Sequence, residues 1–361
     1  MTDAVPAPRR AAPFFLVLLA AAVLLLLWRI ADYLLLAFIA ALIAVYLASV
    51  MDFFGRRLRL PPGPALSLAV VLSLAALAGI GILIAPAVVE QTRDLITALP
   101  RYLTALDSRL RDLAASYPQL RGTGLAEGGV IEGALRQLGA LVQRGIAPAA
   151  TATGKVVIEG VAVMVMALYL AHRPTLYRDG IVALVPPARR EVARAILADL
   201  NVTLRAWVGA QILTMVVLAV LTGIGLWLLD VPYWLAFAIF TGVAALVPFF
   251  GTLVTTILPA LLVLGDRGLF QALAVALVGV VVHIIGSNVV QPLIMQQRVA
   301  LPPVLTILGV MVMGELAGAL GLVVAVPALA IVLVLVRHIL VFRVYGEAPS
   351  GALPAVVPDQ I

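Results

Sequence analysis

Five polar side chains stand in a stretch of this chain that otherwise holds almost only apolar ones. His283, Ser287 and Gln291 recur every four residues and so line one stripe of a helix, with Asn288 beside them. Further along, Glu315 is the only acid in the apolar run Pro303–Val336. It sits in GELAGALG, residues 314–321, among Gly314, Gly318 and Gly321. An ionised carboxylate in hydrocarbon costs several kcal/mol, so an acid at that depth has to earn its place. Buried there, it is expected to favour its protonated form. Such groups could carry a proton, pair with a cation or hydrogen-bond a polar solute. The plainer alternatives are a neutral Glu315 capping open backbone, and helix-to-helix hydrogen bonds from the stripe worth about 0.6 kcal/mol each.

Covalent and metal chemistry find no motif. TGK at 153–155 lacks the glycine spacing and the hydroxyl residue of a phosphate loop, and neither HExxH nor GxSxG occurs. His172, His283 and His338 lie far apart, and the absence of cysteine removes disulfides and thiolate ligands. His283 and Ser287, one helical turn apart, are too little for an intramembrane protease. The expectation is a non-enzyme with no catalytic residue, no metal and no cofactor.

The elements that must position these groups are membrane helices. Hydrophobic residues make up 63% of the chain and charged ones 12%, about half the charge of a soluble domain, with a mean hydropathy of +1.15. Full-length candidate spans of about 20 apolar residues are Phe14–Ile30, Tyr33–Met51, Ala65–Val89, Val156–Ala171, Val208–Leu229 and Leu269–Val290. The net charge of +6 is carried by arginines in the short loops between them, with Lys155 the sole lysine. Positive-inside topology accounts for that charge without nucleic acid.

Two further apolar segments, Tyr233–Leu264 and Pro303–Val336, are too long for one span and too short for two. The first is broken at VPFFG by Pro248, Phe249 and Gly251; the second is broken at GELAGALG, with Pro327 after it. The arginine clusters alternate correctly only if each broken segment returns to the side it entered. This predicts an all-α polytopic membrane protein with about six spans, two re-entrant hairpins of opposite entry and both termini cytoplasmic. Non-helical backbone at membrane depth survives only against protein or a water-filled cavity, so a cavity is expected between the two breaks.

The expected organisation follows. Residues 1–64 form a transmembrane hairpin and cytoplasmic loop, 65–92 the third span, and 93–154 an extracytoplasmic amphipathic segment with leucines at 95, 99, 103, 106, 110 and 113. Residues 155–206 hold the fourth span and an amphipathic helix, ARREVARAILADLNVTLRAW, expected to lie in the membrane interface. Residues 207–345 form a core with both broken hairpins, and 346–361 a disordered tail.

The ordered strings ALVPFFGTL, SNVVQPLIMQQRVALPPVLTIL and GELAGALGLVVAVPAL resemble the autoinducer-2 exporter family of bacterial inner-membrane proteins, also called PerM-type permeases. The family's Pro-aromatic-x-Gly pattern falls on Pro248, Phe249, Phe250 and Gly251. Its Asn and Pro fall on Asn288 and Pro292, and its glycine run on Gly314, Gly318 and Gly321, followed by Pro327. Two positions depart from it: Thr252 stands where a second proline is frequent, and Gly286 where a glutamate is common. The resemblance implies a transporter, with export of autoinducer-2 and sodium/proton antiport among the family's activities, and a homo-oligomer such as a pentamer. The expected partners are the lipid bilayer and a small polar solute or coupling cation. An antiporter and a non-transporting membrane scaffold remain the alternatives.

Overall fold

A computed structural model of the chain describes residues 22, 25, 26, 29–116, 153–247, 256–286, 288 and 302–341. No strand occurs among the described residues. Helix α1 spans Ala31–Leu58, with Asp32 in its first turn and Arg56 and Arg57 in its last, charges that complement the helix dipole. It ends where Arg59 turns left-handed at φ 53°. Helix α2 runs unbroken from Pro62 to Ser116 through Pro86 and Pro100. Its 55 residues extend about 80 Å, against a hydrocarbon layer of about 30 Å. The third span and the leucine-rich stretch after it therefore share one rod.

Helix α3, Thr153–His172, bends by 85° into the short helix α4, Pro174–Ala183, whose proline opens its first turn. A 3-10 turn, Pro187–Arg189, leads into α5, Arg190–Leu228. The sequence laid the first half of α5 in the membrane interface. The structure instead makes it the uninterrupted leading half of a 39-residue helix, because no proline or glycine breaks it before Gly209. Helices α6 (Trp234–Ala244), α7 (Leu258–Arg267), α8 (Leu269–Ile285) and α9 (Pro303–Val336) follow.

By length and composition, four described helical stretches can cross a membrane, and five if the bent pair α3–α4 counts as one. One of the four is Val304–Ile339, but its backbone leaves helical geometry at Gly318 and it is better described as two arms. The proposed first span, Phe14–Ile30, lies largely outside the described residues, as do the second half of the extracytoplasmic segment and the tail.

Three apolar clusters hold the helices together. Ala40, Ala44 and Leu47 of α1 meet Leu66 of α2 and Val163, Ala167 and Ala171 of α3, where alanines let backbones approach. Leu35 and Leu42 of α1 join Leu204, Trp207 and Val208 of α5 and Val324 of α9. Leu226, Val231, Phe237, Leu262, Val263 and Val275 pack the far end of α5 against α6, α7 and α8. Outside these clusters, large apolar side chains such as Leu77, Ile82 and Leu83 of α2 are exposed, as befits a surface in contact with lipid.

Candidate functional site

The second broken segment folds back on itself. Gly318 adopts φ 58° and ψ −141°, a conformation that L side chains rarely take and that reverses the helix. A methyl group built on Gly309 would lie 3.8 Å from the Cβ of Leu329, and one on Gly314 would lie 2.8 Å from Leu322 Cδ2. A methyl on Gly321 would collide with the carbonyl oxygen of Met313. These pairs are antiparallel about Gly318. In a continuous helix Gly309 and Leu329 would stand about 30 Å apart. The arms before and after Gly318 are about 22 and 27 Å long, each shorter than a bilayer core.

The described ends of the first broken segment also lie close together. Gly242 packs its backbone on Met215 and Ala219, and Gly223 packs on Ala238, so α6 runs antiparallel to α5. At the roots, Arg267 at the end of α7 pairs with Asp230 before α6 at 3.4 Å, and Tyr233 meets Tyr102 of α2 edge to face. Three glutamines serve backbone groups that the helix ends leave open. Gln91 Oε1 on α2 accepts from the N–H groups of both Leu235 and Ala236, at 3.1 Å each, where α6 begins. Gln211 Nε2 on α5 donates to Ala245 O, where α6 ends. Gln271 Nε2 on α8 donates to Leu229 O, where α5 ends. Orphan backbone groups in an apolar setting cost several kcal/mol each, so these side chains make the breaks tolerable.

Helix α5 is the wall shared by both hairpins. α6 and α8 pack along its far half, while α9 packs on it together with α1. His338, just after α9, lies 3.9 Å from Asp199 near the start of α5, whereas Gln271 reaches Leu229 at its other end. The hairpin roots are thus separated by about 45 Å along α5. The Asp199 end also carries the Arg205–Asp52 ion pair that ties α5 to α1, and it is the arginine-rich end of the molecule.

The sequence-predicted residues distribute as follows. Gly314, Gly318 and Gly321 form the reversal, and Pro327 is fully buried in the second arm. Glu315 is exposed, beside exposed Met311, Val312 and Leu316, whereas Gly314 turns toward the opposite arm. The expectation of a buried carboxyl is not met within this chain. His283 is exposed on the last turn of α8, and Asn288 Nδ2 donates to Ile284 O at 3.1 Å. Gly286 is buried against Leu218 of α5. Pro248, Phe249, Gly251, Ser287, Gln291 and Pro292 lie outside the described residues. No cluster of metal-ligating side chains occurs among the described residues.

Sequence reading passed over Gln91, Gln211 and Gln271. Their signal was available: each is an uncharged polar residue at or near the end of an apolar run.

Comparison with known proteins points to a family of transporters. The model of a family described as AI-2E family transporter matches residues 14–341. The chain is 29% identical to the candidate transport protein YrrI of Bacillus subtilis over 178 residues, 49% of this chain and 50% of that one. The match to YrrI thus spans half of that relative. It is 26% identical over 321 residues to the candidate transport protein MT0215 of Mycobacterium tuberculosis, covering 88% of this chain and 86% of the relative. A further match, YueF of Bacillus subtilis, is 24% identical over 76% of each chain. With the family model covering most of its length, the chain belongs to the AI-2E family of transporters.

Proposed function

We propose that this chain is a secondary transporter of the bacterial cytoplasmic membrane that exports a small polar solute, such as autoinducer-2, by alternating access. The observation that carries this reading is the pair of helical hairpins rooted at opposite ends of α5, one held by Asp230–Arg267 and the other ending at His338–Asp199. Paired broken segments of opposite entry are the arrangement in which transporter folds build midplane sites from open backbone. Family membership supports transport as the activity.

In this reading both hairpins are re-entrant, the termini are cytoplasmic, and the tips approach the pathway from the two faces. The polar groups offered to the solute or a coupling cation are Pro248–Gly251 backbone, His283, Ser287, Asn288, Gln291 and Glu315. Gly314, Gly318 and Gly321 give the second tip its close reversal, with Pro292 and Pro327 as neighbouring hinges. Exposure of Glu315 within one chain fits a group facing water in the pathway or a neighbouring subunit of a homo-oligomer such as a pentamer.

Replacing Glu315 by Gln and by Ala in protein reconstituted into liposomes tests the assignment. The reading expects solute export to fall. Undiminished export removes Glu315 from the mechanism.

A further inference from the structure

The 85° elbow between α3 and α4 has no role in the transport reading, and its surface has a distinct chemistry. Tyr177, Ile181 and Leu184 recur at i, i+4 and i+7, so they share one helical face. All three are exposed, Leu184 to 87%, while Val182 faces the protein and is buried. Arg173 is the N-cap residue of α4, at the elbow, and Arg178 lies on one edge of the stripe; both are exposed. Arg178 lies 3.3 Å from Asp179, an exposed neighbouring pair that holds little energy.

The elbow is also fixed in place. Arg190 of α5 donates from Nε to Val185 O at 3.2 Å and from Nη2 to Ala183 O, binding the end of α4 to the start of α5. Pro174 fixes its beginning. A short helix held at nearly a right angle to a membrane helix lies in the plane of the interface. An apolar stripe edged by arginines then sits with its side chains in the acyl boundary and its guanidinium groups at the phosphates.

We propose that α4 is an interfacial anchor that binds anionic phospholipid, with Tyr177, Ile181 and Leu184 inserted and Arg173 and Arg178 on the headgroup phosphates. The occupant is the leaflet on the arginine-rich side of the protein. Charge complementarity selects an anionic lipid over a zwitterionic one, and the apolar stripe selects a lipid over a soluble phosphate.

The test titrates the detergent-purified full chain with short-chain phosphatidylglycerol, short-chain phosphatidylcholine or glycerol 3-phosphate, reading the shift in thermal unfolding. Phosphatidylglycerol alone should stabilise the wild type. The Arg173→Ala/Arg178→Ala variant should need about thirtyfold more of it for the same shift, from about 1 kcal/mol per interfacial arginine. Arg173→Lys/Arg178→Lys should retain most of the effect, and Arg56→Ala/Arg57→Ala should respond like the wild type. The proposal is overturned if the double-alanine variant responds like the wild type, or if removing Arg56 and Arg57 weakens the response as much. It is also overturned if glycerol 3-phosphate stabilises equally. Should the double-alanine variant not fold, Leu184→Ser carries the test: a weakened response supports insertion, and an unchanged one overturns it.

Discussion

Gln211 donates from Nε2 to the carbonyl oxygen of Ala245 at 2.9 Å, joining the middle of α5 to the end of α6 across 34 residues of sequence. That carbonyl lies at the end of a helix that stops midway along α5, where an unpaired backbone group in an apolar setting is costly. Gln91 does the complementary work at the start of the same helix, accepting where Gln211 donates. The first hairpin is thus held by a polar side chain at each end of α6.

This polarity gives a directional prediction. Gln91→Glu keeps the acceptor and adds negative charge at a helix N-terminus, so it should be nearly neutral in thermal unfolding. Gln91→Leu leaves two N–H groups without their acceptor and should cost about 1–3 kcal/mol. Gln211→Leu should cost less, about 1 kcal/mol, since one carbonyl is affected. Equal stabilities for Gln91→Glu and Gln91→Leu would show that the cap contributes nothing.

The glycines of the second hairpin should separate by mechanism. Gly321→Ala meets Met313 backbone and Ala317 Cβ, the latter at 2.9 Å, and should destabilise by about 1–3 kcal/mol through overpacking. Gly318→Ala has open space around it but must hold φ 58° and ψ −141°, a strain of about 1–3 kcal/mol. Gly309→Ala meets Leu329 only at ordinary contact distances, the nearest 3.6 Å, and should be tolerated. Thermal unfolding of the three variants in detergent should set Gly309→Ala apart from the other two.

The reversal itself can be trapped. The chain contains no cysteine, so a Gly309→Cys/Leu329→Cys variant carries no competing thiols. Its Cβ atoms would stand 3.8 Å apart, the mean separation in disulfides. The pair should oxidise readily, seen as loss of two alkylation sites by mass spectrometry. Persistent free thiols under oxidant would mean that the two arms do not lie side by side.

The Arg205–Asp52 ion pair links α5 to α1 at the arginine-rich end, with both side chains about a third exposed. A double-mutant cycle with Asp52→Asn and Arg205→Gln should give a coupling of about 0.5–1 kcal/mol that weakens with salt. Zero coupling at low salt would leave that junction to the apolar packing of Leu204, Trp207 and Val208.

Much of this architecture was legible in the sequence. GELAGALG announced a reversal, because glycines at 314, 318 and 321 waste helix propensity unless backbone must turn or approach closely. The continuity of α2 was less visible: polarity rises after Val89, which marks the end of an apolar run but not of a helix, since the leucine period continues. The first half of α5 was misplaced for the opposite reason. An amphipathic face suits an interfacial helix and a helix packed on protein equally well, and Leu204 is used against α1 and α9. Glu315 shows the limit of arguing burial from an apolar neighbourhood, for an exposed position among exposed apolar residues has the same local sequence.

The claim that the hairpins line a solute pathway is tested most directly at the tip of the second one. Ala319, next to Gly318, is exposed, and Ala319→Cys places a single thiol in a chain that has none. In oriented proteoliposomes, a membrane-impermeant maleimide applied to the arginine-rich face should label it, and added autoinducer-2 should change the labelling rate. A thiol unreactive from both faces, while a Gly63→Cys control at the start of α2 labels normally, would place the tip in lipid and contradict a pathway between the hairpins.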